Sequence, residues 1–173
     1  ALYGAQIIFN LSASNELAGK NTYLRSLISG LSSQNLCGYV YASAGYGESS
    51  TDTVFTGKGF IAEVGKLLVE TPRFTYEERL IISDIDVMRI DNDRMMTNSF
   101  NDSIVDHTER GLLMEIPFRL RTHEESHDVD RQIEQNPFLP ESRKRDERAE
   151  EMFDIQVCGL SQRLRFIGAR HAV

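Results

Sequence analysis

Apolar residues run almost without a break from Ala5 to Leu11, the pattern of a strand buried on both faces, and then stop at polar Ser12. Leu24, Leu27, Ile28 and Leu31 follow at helical spacing, which predicts a helix over 21–35 with Asn21 as its N-cap. "GYVYASA", Gly38 to Ala44, is β-branched and aromatic and reads as a strand, with "GYGESSTD", Gly45 to Asp52, as the loop behind it. Thr53 to Glu63 and Lys66 to Thr71 read as two strands joined at "EVGK", with Gly65 supplying the turn. Arg79 to Asp84 reads as a further strand. Asp86 is placed to cap a short helix, "VMRIDNDR". Leu112 to Leu120 reads as a strand whose Pro117 suits an edge or a bulge.

Past Thr122 the alternation is lost. "HEESHDVDRQIEQNPFLPESRKRDE" is highly charged and holds two prolines, the composition of a linker or a surface excursion. A helix is then predicted over Arg145 to Phe166, with Ala149, Met152, Phe153, Leu160, Leu164 and Ile167 on one side. The closing "GARHAV" leaves Ala172 and Val173 as the expected start of another strand. The last module is too short to bury a core alone.

Composition narrows the class of protein. With 173 residues and 40% apolar content the chain can build one domain with a core. A net charge of -7 lacks the basic footprint of non-specific nucleic-acid binding. No apolar run approaches the ~20 residues that span a bilayer, so no membrane partner is expected. "ALYGAQ" has no initiator Met and no signal-peptide pattern, and reads as the interior of a longer polypeptide. The two cysteines, Cys37 and Cys158, do not make a disulfide framework, and a reducing, cytoplasmic setting is expected.

Several stretches carry chemistry on paper. "HEESH", His123 to His127, matches the spacing at which zinc peptidases place two ligands and a general base on one helical face. Its flanks, "RLRT" and "DVDRQIE", offer no apolar face to hold such a helix and no third ligand in a recognisable context. It is read as solvated linker, and no metal is expected. "GYGESS" has Ser50 at the third glycine position of a dinucleotide loop and a strand rather than a helix after it, so that reading is rejected. Cys37 could be a nucleophile but starts an apolar strand with no His nearby, and a buried structural thiol is the better reading; Cys158, in an amphipathic helix, is read the same way. "NLSASNELAGK" remains. It follows the carboxyl end of a buried strand, where α/β proteins place ligands. Its Ser12 and Ser14 can donate or accept, Asn15 and Glu16 can hold an amine, and Lys20 can hold a carboxylate. The competing reading is a strand-to-helix turn whose hydroxyls cap the next helix.

"NLSASNELAGK", "YLRSLIS", "GYVYASAGYGESSTDTVFTGKGFI", "EVGKLLVE", "RFTYEERLIISDIDVMRI" and "NPFLP" together resemble the glutamine-dependent NAD synthetases, over nearly the whole chain. The resemblance implies an α/β fold: part of a nitrilase-like α-β-β-α sandwich, followed by a linker and a C-terminal helix. It implies domains at 1–122 (the C-terminal half of a glutaminase domain), 123–143 (linker) and 144–173 (the start of an ATP-dependent synthetase domain). In that family a Cys nucleophile, a Glu base and a Lys hydrolyse glutamine, and the ammonia amidates adenylated nicotinic acid adenine dinucleotide. By position those three groups fall before Ala1, and the pyrophosphate loop S-G-G-x-D-S falls after Val173. The implied catalytic set within the chain is therefore none, and the fragment is expected to be inactive and to bind no cofactor. ATP and Mg would serve the synthetase domain of the whole enzyme. Ser14 and Lys20 match the family's glutamine-contacting residues, although Arg is common where Lys20 stands. Glu48, Ser49 and Asp52 are placed near the same pocket or a channel mouth. The implied partners are glutamine and the remainder of the same polypeptide, with a homo-oligomer as the whole enzyme. The alternative is a stand-alone carbon-nitrogen hydrolase, an amidase of the nitrilase superfamily, against which the linker and final helix speak.

Overall fold

A computed structural model describes residues 1–48, 52–106, 114–119, 129–131, 133, 135 and 145–169. The chain divides into two units, Ala1–Gln132 and Ile133–Val173. The first is a mixed α/β unit built on a four-stranded sheet in sequence order: β1 (Ile7–Ser12), β2 (Gly38–Ser43), β3 (Gly59–Glu63) and β4 (Lys66–Glu70). β1 and β2 are parallel and are joined through helix α1 (Lys20–Gln34); β2, β3 and β4 are successively antiparallel.

The register sorts the side chains by face. Tyr39 lies opposite Ala62 and Tyr41 opposite Phe60, and α1 packs over them with Ile28 to form the core, flanked by Ile8, Leu24, Leu31 and Leu67. Buried Ser32 ties three elements: its hydroxyl donates to the Cys37 carbonyl at 2.7 Å and accepts from the Gly65 amide at 3.3 Å. At Gly38 and over β3 the other face is covered by the segment after β4. A Cβ on Gly38 would lie 2.9 Å from Ile85 Cδ1, and one on Gly59 3.2 Å from Ile81 Cδ1, so small residues let this segment lie close to the strands. All of β3 is buried as a result.

Helix α2 (Val87–Met96) is capped as expected, the Asp86 carboxylate accepting from the Arg89 amide at 2.9 Å. It is anchored by buried Ile90 and by Arg94, whose guanidinium donates to the carbonyls of Leu36 (2.9 Å) and Ala5 (2.7 Å). Helix α3 (Asn98–Asp106), which periodicity did not suggest, packs against α2. Buried Glu63 accepts from the two terminal guanidinium nitrogens of Arg131 at 3.0 Å each, from Arg89 at 3.3 Å and from the Asp86 amide at 2.7 Å. The expected linker is thus tied down at residues 129–131, where the Asp130 amide also donates to Asp84 at 2.6 Å. In the second unit, α4 (Arg145–Phe166) has the bounds its periodicity predicts, with Asp146 and Glu147 in its first turn and Arg163 and Arg165 in its last, as the helix dipole favours.

Several expectations need correcting. β1 is not buried on both faces: none of its residues is fully buried, and Phe9 and Leu11 are exposed, because nothing covers that face of this edge strand among the described residues. The N-cap of α1 is Gly19 (φ +81), not Asn21, and no side chain caps it; Asn21 lies within the helix, its Oδ1 buried with no hydrogen-bond partner among the described residues. β3 begins at Gly59 rather than Thr53, because residues 53–58 turn away to make the loop contacts described below. Arg79 to Asp84 forms no strand: the segment lies across the sheet face instead of extending an edge. Of Leu112 to Leu120, residues 114–119 are described and are not a strand. No described residue of α4 is buried, and Cys158 is exposed rather than structural. His123 to His127, Ser49, Ala172 and Val173 lie outside the described residues. Among the described residues no cluster of His, Cys, Asp and Glu could hold a metal, and no helix is long and apolar enough to cross a membrane.

Candidate functional site

Parallel pairing brings the carboxyl ends of β1 and β2 to one edge of the sheet, where the Ala44 amide donates to the Ser12 carbonyl at 2.8 Å. Two loops leave this edge: residues 13–19, leading into α1, and residues 44–58, leading into β3. Glu16 N joins them by donating to Val54 O at 2.8 Å, and Gly57 N, donating to Ala44 O at 3.0 Å, closes the second loop on itself.

The first loop folds back so that its ends meet. Lys20, the first residue of α1, donates from Nζ to Ser14 Oγ at 2.6 Å and to the Asn15 carbonyl. Both predicted binding residues are partly buried and in direct contact. Electrostatically, Lys20 stands where the helix dipole already presents positive charge, in a first turn with no acidic residue and no side-chain cap. The loop therefore brings an ammonium and a hydroxyl together at the head of the helix, and each can bond a small carboxylate.

Sequence reasoning did not foresee the support beneath this loop. Glu16 has 14% of its side chain exposed, accepts from Thr56 Oγ1 at 2.9 Å and faces Arg73 Nη1 at 3.7 Å. Thr56 is 40 positions away, so no local pattern could have signalled the contact. Next to it, buried Lys58 donates to the Thr71 carbonyl at 2.6 Å and pairs with Glu70 at 3.2 Å, holding the start of β3 to the end of β4. A cleft of about 410 Å³ opens beside the second loop, with Tyr46, Phe55, Phe74 and Tyr76 in its wall. Glu48 and Asp52 are exposed, and among the described residues no hydrogen bond or ion pair joins either to Ser14 or Lys20.

Cys37 is fully buried, and burial pushes its thiol above the ordinary value, with Arg94 opposing the shift. A nucleophile needs the reverse, so Cys37 is structural.

The fold defines a mixed α/β protein in which Ser14 and Lys20 meet in the loop at the carboxyl ends of its parallel strands. No protein-family model matches the chain. Over 169 residues, 95% of its length, it is 37% identical to the glutamine-dependent NAD(+) synthetase of Mycobacterium leprae, and it is 36% identical to that of Mycobacterium tuberculosis H37Rv. It covers 25% of the length of each. A solved glutamine-dependent NAD(+) synthetase from Cytophaga hutchinsonii matches 43% of this chain and 13% of its own, with 32% identity and a TM-score of 0.41. A carbon-nitrogen hydrolase from Helicobacter pylori G27 matches 66% of this chain and 43% of its own, with 19% identity and a TM-score of 0.48. The chain is a homologue of one segment of the glutamine-dependent NAD(+) synthetases, spanning about a quarter of their length.

Proposed function

We propose that the chain is the carboxyl half of a nitrilase-like glutaminase domain, with the linker and first helix of the synthetase domain behind it. The whole enzyme would release ammonia from glutamine and use it, with ATP and Mg, to convert nicotinic acid adenine dinucleotide to NAD. It would work in the cytoplasm, as a homo-oligomer. The observation that carries this reading is the donor set at the head of α1, Lys20 with Ser14, on a chain similar to these synthetases over 95% of its length.

In this reading Ser14 and Lys20 hold the α-carboxylate of glutamine and so set where its side-chain amide falls. The Cys, Glu and Lys that cleave the amide come from the rest of the polypeptide, and the fragment alone is inactive. Phe9 and Leu11 are exposed on the sheet face opposite α1, at the edge strand; they are the surface that the second sheet of a sandwich would cover. The test is NAD formation by the whole protein, supplied with the dinucleotide, ATP, Mg and either glutamine or ammonium. Product with both nitrogen sources is expected. Product with ammonium alone would reject a glutaminase role.

A further inference from the structure

We propose that Glu16 is a positioning residue, a clamp that holds the loop 13–19 so that Ser14 and Lys20 meet the substrate carboxylate. The proposal rests on the functional reading above. The loop has no regular structure, and among the described residues its ties to residues 54–56 and to Arg73 pass through Glu16. The Glu16 amide donates to Val54 at 2.8 Å, and its Oε2 accepts from Thr56 Oγ1 at 2.9 Å. Oε1 is buried, has no hydrogen-bond donor among the described residues, and faces only the Arg73 guanidinium at 3.7 Å.

Both partners are themselves held in place. Thr56 is 4% exposed. Arg73 lies 5.1 Å over the ring of Phe74, whose backbone is left-handed at φ +60, a conformation that a non-glycine residue adopts only when its surroundings impose it. Burying a carboxylate with one oxygen lacking a donor is costly, and closing a loop does not require it. What the charge achieves here is to join the loop to two segments, residues 54–56 and the exit of β4, that Lys58 already holds near each other through Glu70 and Thr71. Ser14 and Lys20 lie two positions before and four after the clamp, so a slack loop misplaces both together. Misplacement of about 1 Å can cost up to about a hundredfold in rate.

The test compares Glu16→Ala, Glu16→Gln and Arg73→Ala in the whole protein. Glu16→Ala is expected to raise the KM for glutamine about tenfold, with kcat within about twofold and ammonium-driven NAD formation unchanged. Glu16→Gln, whose carbonyl still accepts from Thr56, is expected to raise it less. Arg73→Ala removes an exposed partner, and is expected to raise KM about threefold even if Glu16→Ala does not fold. An unchanged KM in Glu16→Ala or Arg73→Ala, a parallel fall in ammonium-driven activity, or a Gln variant as impaired as the Ala variant would overturn the clamp. If the wild-type protein forms no NAD from glutamine, the functional reading fails instead. Amide exchange over 13–19 then tests the clamp directly: faster exchange in Glu16→Ala supports it, and equal exchange overturns it.

Discussion

Lys20 is a cation at the end of a helix where a cation is electrostatically unwelcome, and its ammonium is bonded to neutral oxygens of Ser14 and Asn15. Such a group gains most when an anion arrives. Lys20→Ala in the whole protein is expected to lower kcat/KM for glutamine about tenfold to a hundredfold, corresponding to a charge-assisted hydrogen bond of about 1.5–3 kcal/mol. Ammonium-driven NAD formation should stay unchanged. A glutamine KM equal to wild type would mean that Lys20 only closes the loop. Cys37 makes a second residue-scale prediction. Its folded pKa lies above the ordinary thiol value of 9.0, because burial penalises the thiolate. The folded state therefore holds its proton more tightly than the unfolded chain does. The resulting stability is fully present below pH 9.0 and is lost as pH rises through the raised value. Wild type minus Cys37→Ala in urea unfolding, from pH ~7 to ~10, isolates that loss from other titrating groups. A flat difference would contradict it.

At the scale of elements, the β3–β4 hairpin carries an avoidable strain. Its two-residue turn has Val64 at φ +44 and Gly65 at φ +88. Both positions demand left-handed backbone, which glycine adopts freely and a β-branched residue resists. Asparagine tolerates that region, so Val64→Asn is expected to stabilise the chain by about 1 kcal/mol in urea unfolding. A loss of stability would show that packing of the Val64 side chain outweighs the strain. The opposite sign is expected at the end of β3. Glu63 is 1% exposed and receives Arg131, Arg89 and the Asp86 amide, so Glu63→Ala should cost about 3 kcal/mol by leaving 17%-exposed Arg131 without its carboxylate. Arg89, 48% exposed, holds only one edge of the network, and Arg89→Ala should cost under about 1 kcal/mol.

For the molecule as a whole, one face of the sheet is closed by α1, while β1 leaves Phe9 and Leu11 in solvent on the other, at 69% and 85% exposure. Apolar residues this open on an edge strand favour self-association. The isolated chain is expected to associate in light scattering, and Leu11→Lys to reduce that association without changing the far-UV circular dichroism. Ammonia release from glutamine by the chain alone should not exceed a buffer blank. Release abolished by Cys37→Ala would make that buried thiol the nucleophile and reverse its assignment as structural.

Wherever an element follows from short-range pattern, it was legible in advance, even where its burial was not. The apolar run of β1, the 3.6-residue spacing of α1 and α4, the aromatic alternation of β2 and the Asp86 cap each express a preference local to a few residues. "NLSASNELAGK" marked the loop because an apolar strand opening onto polar groups is itself a local signal. What it could not show was that Ser14 and Lys20 touch, which depends on how the loop folds back. Segments whose partners are remote were misread for the same reason. Residues 79–84 have strand composition, yet they lie across a sheet face left open by Gly38 and Gly59. The Thr56–Glu16–Arg73 clamp and the Glu63–Arg131 pair join positions up to 68 apart, and each exists only once the sheet has brought those positions together. Local spacing encodes which face of an element is apolar; which distant charge it will meet is decided by the register of the strands.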